Sequence, residues 1–441
     1  MNAEPRALPA PQVRPRARPI AGSTARPARS VAVARSGVRR DRHAPDYAVL
    51  IAVVALGAIG ILMVYSSSAM RALLGPSGDA MAIVGPQIQW AAVGLVAMLV
   101  ISRFDYRYLR LVSVPGYAVS LVLLVLVFVP SLNKVVGGSA RWLIIGGLPA
   151  VHPAEFAKLA LVIYLAHWMA RRGGAIKTFR SGTLPFLLIV FPIAALVFRE
   201  PDLGTTTVIM ATAFTMFFVA GANLWHFAVL AMLAVTAAIA VGLRGYQIER
   251  IQAWLNPWAY PDTKGFHTIQ GLLALALGGI LGAGLGESRL TGGLFLPNAS
   301  NDFIFAVIGE EFGFVGAAVV IGLFVLLAYA GIRTALRAPD TFGALLAAGI
   351  TAWLCIQAFI NIAVVVALVP VTGITLPFIS AGGSSLTISF AAAGILLAIS
   401  RETVERGTWN DASADRGRRH GRAHLPGPGR SPSTARPSER P

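Results

Sequence analysis

The sequence has 441 residues, of which 56% are hydrophobic and only 13% are charged, and its formal net charge is +17 at pH 7. This composition is typical of a protein with several membrane-spanning helices and excludes an ordinary soluble domain. Much of the positive charge lies in two tails rich in Arg, Pro, Ser and Ala, residues 1–45 and 401–441, which argues against a nucleic-acid-binding surface. We expect both tails to be disordered cytoplasmic segments that contact the anionic membrane face or a protein.

Ten apolar stretches predict membrane-spanning helices, since a spanning helix needs about 20 mostly apolar residues. We therefore predict an all-α polytopic membrane domain over residues 46–400, with a large external loop, residues 244–302, between helices seven and eight. The single cysteine, Cys355, excludes an intrachain disulfide. The predicted spans are residues 47–66, 84–102, 109–129, 153–170, 183–198, 203–220, 224–243, 303–332, 342–369 and 384–400.

The distribution of Lys and Arg predicts the orientation of these helices, because cytoplasmic loops carry an excess of basic residues. With the N-terminus inside, the basic loops after the second, fourth and eighth helices all face the cytoplasm, as do both tails. Residues 268–286 are also apolar, but six glycines make them a poor isolated helix. We expect a re-entrant or interfacial segment that packs against protein.

A carboxylate, Asp302, lies where a polar segment rich in Gly, Pro, Asn and Ser meets the eighth apolar stretch, and Glu310 and Glu311 follow about two turns later. An acid near the bilayer centre costs about 2.5–3.5 kcal/mol, so such groups usually face a protein cavity. The roles of Asp302 remain open: it caps the following helix, it acts in catalysis, or it does both.

Two further charged groups lie at predicted helix starts. Glu155 and Lys158 are three residues apart and share one helix face, so they form either a structural ion pair or part of a polar cavity. Arg199, Glu200 and Asp202 crowd the turn between helices five and six. They form a tight ionic turn, or Arg199 binds a phosphate.

Two prolines, three glycines and several hydroxyl groups interrupt the membrane region at residues 370–385. Such a segment must line a cavity or pack on protein, because lipid cannot pair its backbone. The sequence contains no GxxxxGK[ST], HExxH or GxSxG motif and no Cys/His cluster. This argues against nucleotide-driven transport and against zinc or serine hydrolases.

Five motifs occur in order along the chain: YSSS at 65–68, HPAEFAK at 152–158, REPDLGT at 199–205, LPNASNDFIFAVIGEE at 296–311 and NIAVVVALVPVTGITLPFISAGGSS at 361–385. Together they resemble the SEDS family (shape, elongation, division and sporulation) of bacterial cell-wall polymerases. The resemblance covers about residues 46–400 and leaves out both tails. Thr375 and the YSSS motif are similar to the division type of the family.

This resemblance implies a peptidoglycan glycosyltransferase that polymerises lipid II during cell division and releases undecaprenyl pyrophosphate. It also implies that Asp302 is the general base. A divalent cation, Mg²⁺ or Mn²⁺, is left open. The chain departs from the family motifs at Ser300-Asn301, where His-Thr is usual, and at Ala381, where Tyr is usual. The residues expected to bind or enclose the substrate are Glu155, Lys158, Arg199, Asp202, Gln270, Ser380, Gly382, Gly383 and Ser384.

The same resemblance implies a class B penicillin-binding transpeptidase and other membrane proteins of the division machinery as partners. The expected location is the bacterial inner (plasma) membrane at the septum, with both termini in the cytoplasm. The alternatives are a lipid II flippase, an elongation-type polymerase of the same family, and a non-catalytic scaffold. Asp302 discriminates between a glycosyltransferase and a flippase, because a transporter does not require a base at this position.

Overall fold

The computed structural model describes residues 44–75, 78–136, 139–144, 150–223, 225–226, 228–229, 232, 236, 246–263, 265–293, 295–296 and 298–402. The predicted tails therefore lie almost wholly outside the described residues, and so does most of the predicted seventh span, 224–243.

The described chain is mainly helical, with one small antiparallel sheet. Seven of its helices are long and apolar enough to cross a membrane, and Leu203–Val219 and Phe266–Gly278 are shorter apolar helices. These findings confirm the predicted all-α polytopic class. The elements are α1 Tyr47–Leu73, α2 Met81–Ile101, α3 Leu109–Leu126, β1 Asn133–Val136, β2 Ser139–Leu143, α4 Pro153–Arg172, α5 Leu184–Arg199, α6 Leu203–Val219, α7 Tyr246–Leu255, α8 Phe266–Gly278, α9 Arg289–Gly292, α10 Ile304–Arg337, α11 Thr341–Val365 and α12 Gly383–Ser400.

Several helices begin where the sequence places a capping residue. Asp46 accepts a hydrogen bond from Ala48 N at 3.0 Å, and Asp340 accepts one from Gly343 N at 2.8 Å. Pro153 is the first residue of α4, where its missing N–H leaves no partner unsatisfied. These local signals explain why the predicted starts of α1, α4 and α11 lie within a residue of the observed ones.

Helix α12 is the central helix of the described bundle. It is buried along most of its length and packs against α1, α2, α4, α10 and α11. Its last turn leads into an ion cluster, where Arg107 Nη1 lies 2.7 Å from Glu402 Oε2 and Arg107 Nε lies 3.2 Å from Asp340 Oδ2. Since Arg107 precedes α3 and Asp340 precedes α11, this cluster ties three chain segments together at the end of α12.

Helix α10 is not continuous, although the sequence predicted one long helix. Gly313 has φ 65° and ψ −159°, a conformation that only glycine adopts readily, and it separates a first segment from the rest. The break lies against the chain that follows α8. There, Phe314 N donates to Gly279 O at 2.9 Å, and Gly284 N donates to Glu311 O at 3.0 Å. These hydrogen bonds pair backbone groups that the broken helix would otherwise leave without partners.

Helix α8 is as short as the glycines of residues 268–286 predict, and it ends at Gly278. Its 13 residues extend about 20 Å, which is too short to cross the roughly 30 Å hydrocarbon layer. A Cβ atom on Gly278 would overlap the carbonyl oxygen of Gly309 in α10. Gly278 is therefore required for the close approach of α8 to the first part of α10.

Gly278→Ala is expected to destabilise the protein by about 1–3 kcal/mol, because the added methyl group forces two backbones apart. Thermal unfolding of the purified full chain in detergent measures the effect as a lower melting temperature. Gly322→Ala in α10 is the control, since a Cβ atom there meets nothing within 4 Å. Equal melting temperatures for the two variants would contradict the close-approach interpretation.

Candidate functional site

The N-terminal ends of α4, α6, α10 and α12 meet, and we call this place the four-helix junction. His152, before α4, lies with its Nε2 atom 3.7 Å from Asp202 Oδ2 at the start of α6. The same residue's backbone N donates to Ser384 Oγ in α12 at 3.3 Å. Ser380 Oγ, before α12, donates to Asn301 O, before α10, at 2.7 Å. Segments far apart in sequence thus bring the predicted motifs into one site.

Asp302 lies half-buried at this junction. The N-cap of α10 is Phe303 and no side chain caps the helix, so the capping interpretation of Asp302 is wrong. Asn361 Nδ2 instead holds the local backbone by donating to Asp302 O at 2.9 Å and to Ile374 O at 2.8 Å. Among the described residues, none donates a hydrogen bond to the Asp302 carboxylate, which leaves it available for proton transfer.

Burial, with a smaller contribution from the Asp202 carboxylate, raises the pKa of Asp302 from 3.8 to about 7, although the charges of Arg141 and Arg250 oppose the shift. A carboxyl group that titrates near neutrality both accepts and releases a proton at physiological pH. This is the property that a general base requires.

Glu200 and Asp202 form the acidic side of the junction. Asp202 caps α6, accepting from Thr205 N at 3.0 Å and from Thr205 Oγ1 at 2.9 Å. Glu200 is only 1% exposed, and neither carboxyl oxygen has a hydrogen-bond partner in the described structure. Burial and the Asp202 charge raise the pKa of Glu200 to about 8, so this side chain is mostly protonated at pH 7.

Arg199 does not join these residues. Its side chain is exposed at the end of α5, and its guanidinium carbon lies 5.8 Å from the centre of the Phe128 ring. The arginine that enters the site is Arg141 of β2, whose Nε donates to Glu200 O at 3.2 Å and whose Nη2 donates to Pro201 O at 2.5 Å. The β1–β2 hairpin positions Arg141 at the site, and the sequence of this short loop does not reveal that placement.

Glu155 and Lys158 form the expected pair, with Lys158 Nζ 2.8 Å from Glu155 Oε2. Lys158 is 3% exposed and also donates to Gln357 Oε1 at 2.7 Å, and its ammonium group lies 5.2 Å from the centre of the Trp353 ring. These contacts occupy the ammonium group. They favour the structural-pair interpretation, in which Lys158 joins α4 to α11.

The residues before α12 close one side of the junction, as the sequence suggested. Gln87 of α2 holds them by donating to Ser380 O at 3.1 Å and accepting from Gly382 N at 3.2 Å. Gly383 lies directly against the Trp90 ring. Ser384 is 8% exposed, so these residues build the wall and expose little polar surface.

The segment that contains α7 and α8 supplies further polar and basic side chains near the junction. Gln270 Oε1 is buried without a hydrogen-bond partner in the described residues, and the His267 ring stacks on Phe303 with centroids 5.9 Å apart. Arg250 Nη1 donates to Val371 O at 2.8 Å. Arg250 lies in a stretch of basic and aromatic residues that the sequence shows, whereas nothing in the sequence pointed to His267.

No group of three or more His, Cys, Asp or Glu side chains in the described residues is arranged to hold a metal ion. The side chains present therefore do not make a complete cation site by themselves. A divalent cation here would need further ligands from a phosphate-bearing substrate.

Lys158→Met is expected to destabilise the protein by about 3–5 kcal/mol, because it leaves Glu155 buried without its partner. Adding Glu155→Gln should restore most of the lost stability, since both charges are then removed. Thermal unfolding of the two variants measures this. A double variant no more stable than the single one would contradict a self-contained ion pair.

Asp302→Asn is expected to stabilise the protein at neutral and alkaline pH. Because the folded-state pKa of Asp302 is raised from 3.8 to about 7, the folded state binds more protons than the unfolded chain between these values, and stability falls as pH rises through them. The melting temperature of the variant relative to wild type should rise between pH 4 and 7 and then level off. A difference independent of pH would refute the raised pKa.

Comparisons with known proteins identify relatives of the chain. Residues 47–405 match the model of the FtsW/RodA/SpoVE family, described as a cell cycle protein. The chain is 42% identical over 361 residues to stage V sporulation protein E of Bacillus subtilis, covering 82% of this chain and 98% of that protein. It is 39% identical over 373 residues to a probable peptidoglycan glycosyltransferase FtsW of Mycobacterium tuberculosis, covering 84% and 71% of the two chains.

Solved structures show the same fold. The rod shape determining protein RodA of Thermus thermophilus matches with a TM-score of 0.60 and 27% identity, over 82% of this chain and 98% of that one. A chain from a structure described as "Structural coordination of polymerization and crosslinking by a peptidoglycan synthase complex" matches with a TM-score of 0.66 and 29% identity, over 81% and 98%. Family match, sequence identity and fold extend over the whole membrane domain, and the chain therefore belongs to the FtsW/RodA/SpoVE family.

Proposed function

We propose that this protein is a peptidoglycan glycosyltransferase that polymerises lipid II into glycan strands and releases undecaprenyl pyrophosphate. Relatives named as probable peptidoglycan glycosyltransferases are 38–40% identical over about 80% or more of the chain. The observation that carries the proposal is Asp302, a carboxylate that does not cap its helix and titrates near pH 7 at the junction of the family motifs.

The reaction places defined demands on the site. A sugar hydroxyl of the acceptor attacks the anomeric carbon of the donor, forming a new C–O bond, while the bond from that carbon to the phosphate oxygen breaks. Asp302 takes the hydroxyl proton, and the electron pair of the broken bond leaves with the pyrophosphate. The leaving group gains negative charge, so a cation must stabilise it.

We further propose that the protein acts in division, in the bacterial plasma membrane at the septum, with both termini in the cytoplasm. The high density of Arg and Lys in the loops after the second, fourth and eighth predicted helices supports this orientation. One similar solved chain comes from a structure described as a peptidoglycan synthase complex that coordinates polymerization and crosslinking. This supports a class B penicillin-binding transpeptidase as partner, with other division proteins alongside it.

The flippase alternative is less well supported. A flippase needs a polar cavity but no base. The side-chain carboxylate of Asp302 neither caps α10 nor accepts a hydrogen bond from the described residues. Its raised pKa suits proton transfer in a glycosyltransferase, and moving a headgroup across the membrane does not require such a base.

The test is polymerisation of labelled lipid II by the purified full chain, alone and with a class B transpeptidase. Wild type should produce glycan chains, with a rate that rises as Asp302 ionises, on a limb with an apparent pKa near 7. Asp302→Asn should lower the rate by about 10²–10⁴-fold, the usual contribution of a general base.

Asp262→Asn is the matched control, because Asp262 is an exposed carboxylate in the loop between α7 and α8. It should retain the wild-type rate. Polymerisation by Asp302→Asn at more than a tenth of the wild-type rate would remove Asp302 from the role of base. Lipid II binding by wild type with no polymer under any condition would support the flippase.

A further inference from the structure

We infer that Arg141, carried by the β1–β2 hairpin, is the cation that binds the pyrophosphate of the donor and stabilises its charge as it leaves. This inference rests on the proposed function, since it assigns the leaving-group end of the same reaction. It replaces Arg199, which the sequence motif suggested for phosphate binding and which the structure places outside the site.

The anchoring of Arg141 prepares it to bind an anion. Its Nε and Nη2 atoms donate to the backbone carbonyls of Glu200 and Pro201 at 3.2 and 2.5 Å. Its Nη1 atom lies 4.0 Å from Asp202 Oδ2, a long distance for an ion pair. Neutral carbonyl groups thus hold most of the guanidinium fork in place without neutralising its charge.

The position of Arg141 matches the demand of the reaction. It contacts the turn that begins α6, and it is 20% exposed at its side chain, so an approaching ligand can reach it. The positive ends of four helix dipoles converge at the same junction and favour an anion in the same place. Arg141 also lowers the pKa of Asp302, as expected for a cation near the proposed base.

Three other basic side chains near the turn do not meet this demand. Lys158 is 3% exposed and bound to Glu155 and Gln357. Burial lowers the pKa of His152, so its ring is neutral at pH 7 despite the carboxylates beside it. Arg199 faces the Phe128 ring and not the junction.

The chemical step balances with Arg141 in this role. The C–O bond between the donor sugar and its phosphate breaks, and the electron pair stays on the pyrophosphate oxygen. The proton released by the acceptor hydroxyl goes to Asp302. Arg141 forms charge-assisted hydrogen bonds to the pyrophosphate and undergoes no covalent change.

The experiment measures kcat and KM for lipid II polymerisation, together with inhibition by added undecaprenyl pyrophosphate, on the full chain with a class B transpeptidase. Arg141→Ala should lower kcat by about 10²–10³-fold, as expected for loss of one group that stabilises developing charge. It should also weaken inhibition by undecaprenyl pyrophosphate at least about tenfold, and inhibition by undecaprenyl monophosphate less.

Two arginines provide controls. Arg71→Ala, at an exposed arginine in the last turn of α1, should match wild type in both measurements. Arg199→Ala tests the assignment that the sequence motif suggested. A larger loss of kcat for Arg199→Ala than for Arg141→Ala would overturn the inference. If Arg141→Ala fails to fold, Arg141→Lys is the alternative variant, because it keeps the charge but removes the guanidinium group. Unchanged inhibition of Arg141→Lys by undecaprenyl pyrophosphate would then overturn the inference.

The outcome separates the two proposals. Polymer from wild type, with diphosphate inhibition unchanged in Arg141→Ala, refutes the role of Arg141 and leaves the glycosyltransferase in place. No polymer from wild type, with direct binding of undecaprenyl pyrophosphate that Arg141→Ala abolishes, supports the anion site and refutes the polymerase.

Discussion

Backbone groups that leave a helix at membrane depth must find partners within the protein, because lipid offers none. The structure meets this constraint where the chain after α8 pairs with the break in α10, through Ala283 N to Glu310 O at 3.0 Å and Gly284 N to Glu311 O at 3.0 Å. The first part of α10 is thereby held as a short, independent segment. Its N-terminal end, with Asp302 before it, lies in the four-helix junction because of this pairing.

Side chains of the same segment reinforce the arrangement. Glu310 accepts from Ser288 Oγ at 2.6 Å and from Arg289 N at 2.8 Å, so it satisfies the start of α9. Glu311 accepts from Ser66 Oγ at 2.5 Å, which ties the broken helix to the YSSS motif of α1. Both glutamates therefore support the fold near the junction, and Glu311 links the two family motifs.

The chemistry of the junction follows from this packing. Burial makes ionisation of Asp302 and Glu200 unfavourable, and their proximity to Asp202 adds to the effect, so both carboxyl groups titrate near neutrality. Arg141 opposes both shifts. An exposed loop would provide the same residues without the same proton affinity, which is why the reactive character of the site depends on the fold.

Much of the architecture could be predicted from the sequence. Apolar length, capping residues and prolines determine helix boundaries through local physics, and nine of the ten predicted spans correspond to observed helices in the described residues, to within a few residues for most ends. Asp302, Glu155 and Lys158 were identified from their charge at membrane positions and from their motifs. The tertiary structure was needed for the break at Gly313, because a glycine within an apolar helix pattern does not show whether another segment will pair with its backbone.

By itself, the sequence determined the class of the protein, its family and the residue types of the site, since these follow from composition and local order. Only the tertiary structure decided that Asp302 does not cap α10, that Lys158 is bound within the bundle, and that Arg141 enters the site in place of Arg199. The physical reason is that the direction of a side chain depends on neighbours distant in sequence. Arg141 reaches Glu200 across 59 residues of chain, and no local pattern encodes that contact.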